Sequence, residues 1–463
     1  MDLHYDLIVI GSGPSGRRGA VQAAKLGKRV LVVERNLRVG GVSVHTGTIP
    51  SKTLRETVMN LSGWRERGFY GRTYRVKQDI SADDLKTRLN LTLDHEVEGL
   101  EHQFLRNAVK TVQGRARFVD PHRIAVMDAE EVETVYTAEK IMLAVGTKPH
   151  RPDDIPFDGE TVVDSDELLR LTKLPRNMAV IGAGVVGMEY ATIFNALDIP
   201  VTVIDPRENI MSFIDRDLIQ ELIHELKDRR VRFHLGVQVE TITPGGNGKQ
   251  CELALDNGRK VWADVVLYAA GRMGATNSLN LEAAGLEVDH RGRLAVDRKT
   301  FQTKVPHIYA VGDVIGFPSL ASTSMEQGRI ASCHAFSHKH TEPQKYFPYG
   351  IYSVPEMSTI GMTEDELKER KIPYEVGIAR FRETSRGHIL GVENGIMKMV
   401  FSLKTRRLLG VHIIGEGATE LIHIGQAVMH FKGTVDYFVD STFNYPTLAE
   451  AYKIAALDAW NRM

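Results

Sequence analysis

Two cysteines are all that the 463 residues contain, and Cys251 and Cys333 lie far apart, in no CxxC or CxxxxC spacing. That excludes a disulfide-stapled scaffold and a redox dithiol, and a reduced, cytoplasmic protein is expected. No apolar run approaches the roughly 20 residues that a membrane-crossing helix needs. The chain enters a strand at residues 5–10 with no basic stretch or cleavage site before it, so no secretory leader is expected. Charge of one sign is scarce as well: 58 Lys and Arg face 59 Asp and Glu, for a net charge of −1. Nucleic acid or an anionic membrane would call for a basic excess, so neither is an expected partner. No spacing of His, Cys or acids calls for a metal. What is present is 43% hydrophobic and 25% charged residues, the composition of a soluble globular protein. At about 150 residues per domain, the length suggests two to four domains.

Residues 5–10, YDLIVI, form a short apolar run of the kind a buried parallel strand shows. The run leads into Gly11-Ser-Gly13-Pro-Ser-Gly16, a helix-like RRGAVQAAKLG, and a second strand, RVLVVE, that ends in Glu34. The three glycines differ in what they allow. Gly11 permits the tight turn, Gly13 the approach of a pyrophosphate, and Gly16 close helix–strand packing. Phosphates would sit on the helix N-terminus, where free N–H groups and the helix dipole favour anions. Glu34 would accept from ribose hydroxyls. A glycine trio alone is weak evidence, but one that follows a strand, opens a helix and has an acid at the next strand end marks a dinucleotide site.

The whole device recurs. MAVI at 178–181 leads into Gly182-Ala-Gly184-Val-Val-Gly187, a helix (MEYATIFNALD) and the strand VTVID ending in Asp205. Asp205 follows Gly182 at the same offset as Glu34 follows Gly11. Two dinucleotide sites in one chain imply electrons moving between two dinucleotides.

Between the copies lie a helical stretch at 81–106, a short strand in GRARFVD at 114–120, and IMLAVGTKP at 141–149, an apolar strand ending in a glycine turn. VVLYAAGRMGATN at 265–277 repeats that strand–glycine form. From about Pro343, alternating stretches such as MKMVFSLKT and LLGVHIIG read as antiparallel strands. Two apolar helices follow at 419–432 and 447–460, which suits a separate α+β domain. Thr447-x-x-Glu450 ahead of an apolar run reads as a capping box, worth about 1 kcal/mol to its helix.

The stretch 40–52, GGVSVHTGTIPSK, follows the first βαβ unit. Together with both glycine motifs, YAVGD at 309–313 and the ending FNYPTLAEAYKIAALD, it resembles the flavoprotein disulfide reductases from end to end. Within that family, GTIPSK, VGDVIGFPSLAS and the ending are most similar to the soluble, Si-specific pyridine nucleotide transhydrogenases. The resemblance implies an α/β protein with two Rossmann-like dinucleotide-binding domains, for FAD and NAD(P), plus a C-terminal α+β dimerisation domain. The expected segments are 1–149 and 269–341 for the FAD domain, 150–268 for the NAD(P) domain and 342–463 for the dimer interface. FAD contacts are implied at Gly11, Gly13, Gly16, Glu34, Arg35, Gly40, Gly41, Ser43, Thr48, Lys52, Ala116, Gly146, Asp313 and Ala321. The nicotinamide nucleotide falls to Gly182, Gly184, Gly187, Glu189, Asp205, Arg207 and Gly271. Lys52 is implied to pair with Glu189 and to place a cation near the reacting ring, so these two are the catalytic candidates. The helix after Pro318 is expected to point its positive end toward the flavin.

The chain departs from the general family in concert. Ser43 and Thr48 stand where the redox cysteines would be, and Tyr445 stands where the family has its histidine base. Ser43 also replaces a single cysteine that transhydrogenases of this kind often keep. Thiol exchange needs a thiolate and a proton relay, and a serine hydroxyl carries no electrons, so disulfide reduction is excluded on chemistry. Hydride transfer between nicotinamide and flavin survives, because it needs geometry rather than a base. His45 and His423 are residues of the type that most often serves as an acid or base, but a hydride shuttle has no use for an acid, and structural roles are expected.

Nucleotide preference stays open. Asp205 favours the 2′-hydroxyl of NAD, while Arg207 would neutralise the 2′-phosphate of NADP. Having both suits a site that accepts each in turn, and is equally compatible with NAD alone. The expected function is therefore a homodimeric, FAD-containing NAD(P) transhydrogenase working by ping-pong hydride transfer, with NAD and NADP as substrates. Two alternatives stand beside it: an NAD(P)H dehydrogenase or diaphorase that reduces a quinone-type acceptor, and a flavin-bound, non-catalytic interaction protein.

Overall fold

The apolar run at 5–10 becomes strand His4–Ile10, whose parallel neighbours are Val30–Glu34 and the long strand Glu133–Leu143. These belong to a computed structural model that describes residues 3–246 and 248–463. The chain divides into two compact units, residues 1–53, 87–150 and 271–345 in one and 54–86, 151–270 and 346–463 in the other.

The first unit is built on a seven-stranded sheet. Its parallel part runs Lys110–Gln113, Val30–Glu34, His4–Ile10, Glu133–Leu143 and Ile308–Ala310. Strand Glu133–Leu143 serves two arrangements. Its later half pairs parallel with His4–Ile10, and its start pairs antiparallel with Arg123–Met127, which in turn pairs with Arg115–Asp120. Strands buried on both faces read as unbroken apolar runs, and Leu7, Ile8, Val9, Leu31 and Val32 are fully buried. Helices Pro14–Lys25 and Ala321–Ala335 pack so closely that a Cβ on Gly328 would collide with the Ser15 carbonyl oxygen. The first glycine motif and the segment at 271–345 thus share one scaffold although they are distant in sequence.

The second unit holds a parallel five-stranded sheet in the order Arg232–Leu235, Val201–Asp205, Met178–Ile181, Val265–Tyr268 and Val162–Asp164. An antiparallel five-stranded sheet follows, in which the two alternating stretches form Ile396–Ser402 and Leu408–Ile414. Residues 54–86 cluster with this unit. The cause is packing: Leu54, Val58, Met59 and Leu85 share a core with Met178, Phe194, Leu222, Met357 and Ile414. Among the described residues no helix is long and apolar enough to cross a membrane.

The capping box at Thr447 and Glu450 does not form. Thr447 Oγ1 donates to the Asn444 carbonyl at 2.7 Å, and the helix Glu450–Trp460 begins after Ala449 with no side-chain cap. The hydroxyl that would have met the helix start is used within the preceding turn. Glu450 is left with a buried Oε2 that has no hydrogen-bond partner among the described residues. A true capping box occurs elsewhere, at Thr363 and Glu366.

A buried ion cluster braces the second unit. Lys398 Nζ, with a side chain only 1% exposed, meets Asp215 at 2.8 Å, Asp217 at 2.6 Å and Glu364 at 2.5 Å. Burial pushes the Asp215 carboxyl up, but His412 and Lys398 outweigh it and hold it below its usual range. Glu364 is likewise held low, against burial, by hydrogen bonds from Lys398 and Tyr374. Breaking a buried pair by removing one partner costs about 3–5 kcal/mol, so Lys398→Ala should lower urea stability by that order at pH 7. The depressed carboxylates contribute their stability above about pH 4 and lose it as they protonate below that. The gap between wild type and variant should therefore narrow as the melts are repeated toward pH 3.

Candidate functional site

The first unit encloses a cavity of about 610 Å³ along the carboxyl ends of its parallel strands. One end is the first glycine turn. Gly11 has φ of +103°, a conformation that admits glycine readily, and a Cβ there would also collide with the Ala144 carbonyl oxygen. Gly13 is the opposite case: a Cβ would meet nothing within 4 Å, because the space above it is the cavity. Helix Pro14–Lys25 starts immediately after, with no side-chain cap and no acid in its first turn. Its leading N–H groups therefore remain available for an anion.

Glu34 closes the adjacent end of the cavity. Its Oε2 accepts from the Ser12 amide at 3.0 Å and the Ser12 hydroxyl at 2.5 Å, and its Oε1 accepts from the Asn36 amide at 2.9 Å. The Ser12 hydroxyl in turn accepts from the Gly40 amide at 2.8 Å. One serine thus ties the glycine turn, the acid and the start of the 40–52 stretch together. Reading the motif as glycines passed over Ser12, although its place between Gly11 and Gly13 was the available signal. Further along, Asp313 lines the same cavity, with its carboxyl pushed up by burial and drawn back by Arg272 and a Thr147 hydrogen bond.

Of the residues expected to meet FAD, Gly11, Gly13, Glu34, Arg35, Gly41, Ser43, Thr48, Ala116, Gly146, Asp313 and Ala321 lie on this cavity wall. Gly16 and Gly40 stand behind it, packed close against the Gly11 backbone and the Val44 side chain. Lys52 is not on the wall either; its Nζ donates to Ser51 Oγ at 3.2 Å from helix Thr48–Leu61. The donor set suits FAD: free helix N–H groups for a pyrophosphate, a carboxylate for ribose hydroxyls, and a second polar end at Asp313. Ser43 and Thr48 supply hydroxyls and no thiol. His45 Nε2 is engaged with the Val39 carbonyl at 3.0 Å and His423 with Gln426 at 2.8 Å, both structural contacts. Tyr445, 64% exposed, shares a 2.5 Å hydrogen bond with the Ser385 hydroxyl.

The second glycine turn repeats this geometry in the second unit. Gly182 has φ of +104°, Gly184 faces open space, and a Cβ on Gly187 would collide with the Gly182 carbonyl oxygen. Helix Val185–Ala196 also begins without a side-chain cap or first-turn acid. Asp205 ends its strand and accepts from the Ala183 amide at 2.6 Å. Glu189 is buried on that helix, with Oε1 accepting from the Tyr352 amide at 2.9 Å. Gly271, with φ of +120°, belongs to the first unit by its packing.

Two family models match the chain: pyridine nucleotide-disulphide oxidoreductase over residues 5–328, and the dimerisation domain of the same family over 347–456. A soluble pyridine nucleotide transhydrogenase of Mycobacterium tuberculosis (strain ATCC 25177 / H37Ra) is 51% identical over 460 residues, covering 99% of this chain and 98% of that one. A protein of the same description from Colwellia psychrerythraea is 42% identical over 463 residues, with the same coverage. Among solved structures, LpdA from Mycobacterium tuberculosis superposes with a TM-score of 0.89 at 25% identity, over 97% of this chain and 99% of that one. The HOCl-induced flavoprotein disulfide reductase RclA from Escherichia coli gives 0.86 at 26% identity, over 98% and 99%.

The contrast between Gly184 and Gly187 separates binding from folding. Gly187→Ala should lower stability by about 1–3 kcal/mol through overpacking, seen as a lower urea midpoint. Gly184→Ala should leave that midpoint in place yet weaken nicotinamide nucleotide binding in calorimetric titrations, because its methyl would occupy the space a pyrophosphate needs.

Proposed function

The chain belongs to the pyridine nucleotide-disulphide oxidoreductase family, and on that premise we propose that it is an FAD-dependent NAD(P) transhydrogenase. The observation that carries this is the pairing of two complete dinucleotide motifs with the joint absence of thiols and histidine at Ser43, Thr48 and Tyr445. Electrons that enter from one nicotinamide have no disulfide to leave through. The relatives that match over nearly the full length carry the same activity in their names.

FAD, when bound, supplies a two-electron acceptor and donor, so that NADPH and NAD are interconverted with NADP and NADH. The chain's own residues divide the remaining work. Gly11, Gly13, the start of helix Pro14–Lys25 and Glu34 would hold the adenosine diphosphate half of the cofactor. Gly146, Ala116, Asp313 and the start of helix Ala321–Ala335 would hold the rest. Gly182, Gly184 and the start of helix Val185–Ala196 would hold the phosphates of the nicotinamide substrate, with Asp205 at its ribose. Lys52 is the proposed source of positive charge for the reaction, and Glu189 the second catalytic candidate. No step needs a thiolate or a general base.

The C-terminal match supports a homo-oligomer, which we read as a homodimer. Two free, buried cysteines support a reducing, cytoplasmic setting. Purified holoenzyme given NADPH and thio-NAD without oxygen should bleach and then reduce the acceptor nucleotide. Bleaching without transfer would overturn the transhydrogenase reading in favour of a diaphorase. Lys52→Ala should retain FAD but slow its reduction by NADPH at least tenfold in stopped flow. Unchanged kinetics would remove Lys52 from the mechanism.

A further inference from the structure

The transhydrogenase reading requires one site to accept a 2′-hydroxyl and a 2′-phosphate in turn, and the two glycine motifs of this chain differ where that matters. In the first motif Ser12 supplies a hydroxyl to the strand-end acid, and Asn36, two residues past it, supplies only its backbone amide. In the second motif the serine's place is taken by Ala183, and the residue two past the acid is Arg207. The backbone turn is the same, with the Arg207 amide donating to Asp205 Oδ1 at 2.8 Å. The side chain then folds back onto the carboxylate. Nε donates to Oδ1 at 2.9 Å and Nη2 to Oδ2 at 2.8 Å. With the Ala183 amide on Oδ2, both carboxylate oxygens are fully engaged. A carboxylate has about four acceptor sites, so none is left for a ribose hydroxyl.

The two partners are unequally held. The Asp205 side chain is 2% exposed and that of Arg207 is 59% exposed. The aspartate is enclosed by protein, and the guanidinium over it stands mostly in water. Of its five N–H groups, two point at Asp205 and three remain for another acceptor.

We propose that Arg207 is a specificity latch over Asp205, closed for NADP(H) and open for NAD(H). Closed, the guanidinium neutralises the carboxylate that would repel a 2′-phosphate and offers its three remaining N–H groups to that phosphate. Open, it moves into solvent, and Asp205 accepts from the 2′-hydroxyl. The exposed guanidinium can leave for solvent, but the buried carboxylate then needs another donor, which the 2′-hydroxyl of NAD(H) supplies. The resident cofactor needs no such choice, and among the described residues no arginine is folded onto Glu34.

This inference rests on the transhydrogenase reading, but its test does not use turnover. FAD-loaded wild type and Arg207→Ala are titrated calorimetrically with adenosine 2′,5′-bisphosphate and with 5′-AMP. The latch predicts at least a tenfold loss of affinity for the bisphosphate in the variant, because its charge-assisted hydrogen bonds go and a bare carboxylate remains. Affinity for 5′-AMP should hold or rise, since the cover no longer competes. Arg207→Lys, which restores a point charge without the fork, should recover part of the bisphosphate affinity and none of the gain for 5′-AMP. An equal fall for both ligands would mark Arg207 as a structural prop and overturn the latch. So would an unchanged bisphosphate affinity, or a wild type that binds neither ligand. Failure of wild type to pass hydride from NADPH to thio-NAD overturns the transhydrogenase reading separately.

Discussion

An uncapped helix start beside a buried acid is the constraint on which this structure depends, and the chain builds it twice. The first-turn N–H groups of Pro14–Lys25 and Val185–Ala196 have no side-chain partner, so each helix start is left short of hydrogen bonds and carries a partial positive charge. Neither helix has a side-chain cap or an acid in its first turn. Gly11 and Gly182 bend the strand ends into place through positive φ, and Gly16 and Gly187 press the helix onto the turn. What remains open is the space above Gly13 and Gly184. The open space suits a phosphate, which would supply the missing cap.

Much of this was legible because glycine spacing is a backbone requirement and survives without knowledge of tertiary contacts. The strand bounds Met178–Ile181 and Val201–Asp205 coincide with the runs MAVI and VTVID, since strands buried on both faces appear as uninterrupted apolar residues. Legibility failed where a side chain had a choice of partner. Thr447 and Glu450 have the spacing of a capping box, but Thr447 takes the nearer carbonyl of Asn444. Ser12 was hidden for a related reason: its hydroxyl joins Glu34 to Gly40, and those residues meet only after folding. Residues 54–86 cluster with the second unit because Leu54, Val58 and Met59 find their core among distant residues. Local pattern carries no information about which core an apolar face will join.

The second unit shows what holds two sheets of different kind in one body. Asp215 caps helix Arg216–Asp228 through the Asp217 amide and also binds Lys398 from the antiparallel sheet. Replacing such a cluster by apolar residues is often neutral for stability, whereas breaking it is costly. Its role is therefore better described as fixing register between the helix and strand Ile396–Ser402 than as supplying net stability. A nucleotide domain that must present one geometry to a mobile substrate benefits from that kind of constraint.

The two acids, Glu34 and Asp205, show how one motif is adapted to two kinds of ligand. Both are buried, both end a strand, and both accept the amide two residues on. Glu34 is fixed by a serine hydroxyl, a short and well-ordered donor inside the wall of the cavity. Asp205 is covered by a long cation that stands mostly in water. A ligand that stays for many turnovers is best met by a rigid set of donors, because ordering them once serves every cycle. A ligand that leaves after each half-reaction, and returns in a different chemical form, is best met by a partner that is cheap to move. With hydroxyls at Ser43 and Thr48, no dithiol there can take up electrons, and exchange at the second site is the exit that the transhydrogenase reading requires. The difference between the residues at 36 and 207 is then the mark of that division of labour, one nucleotide kept and the other traded.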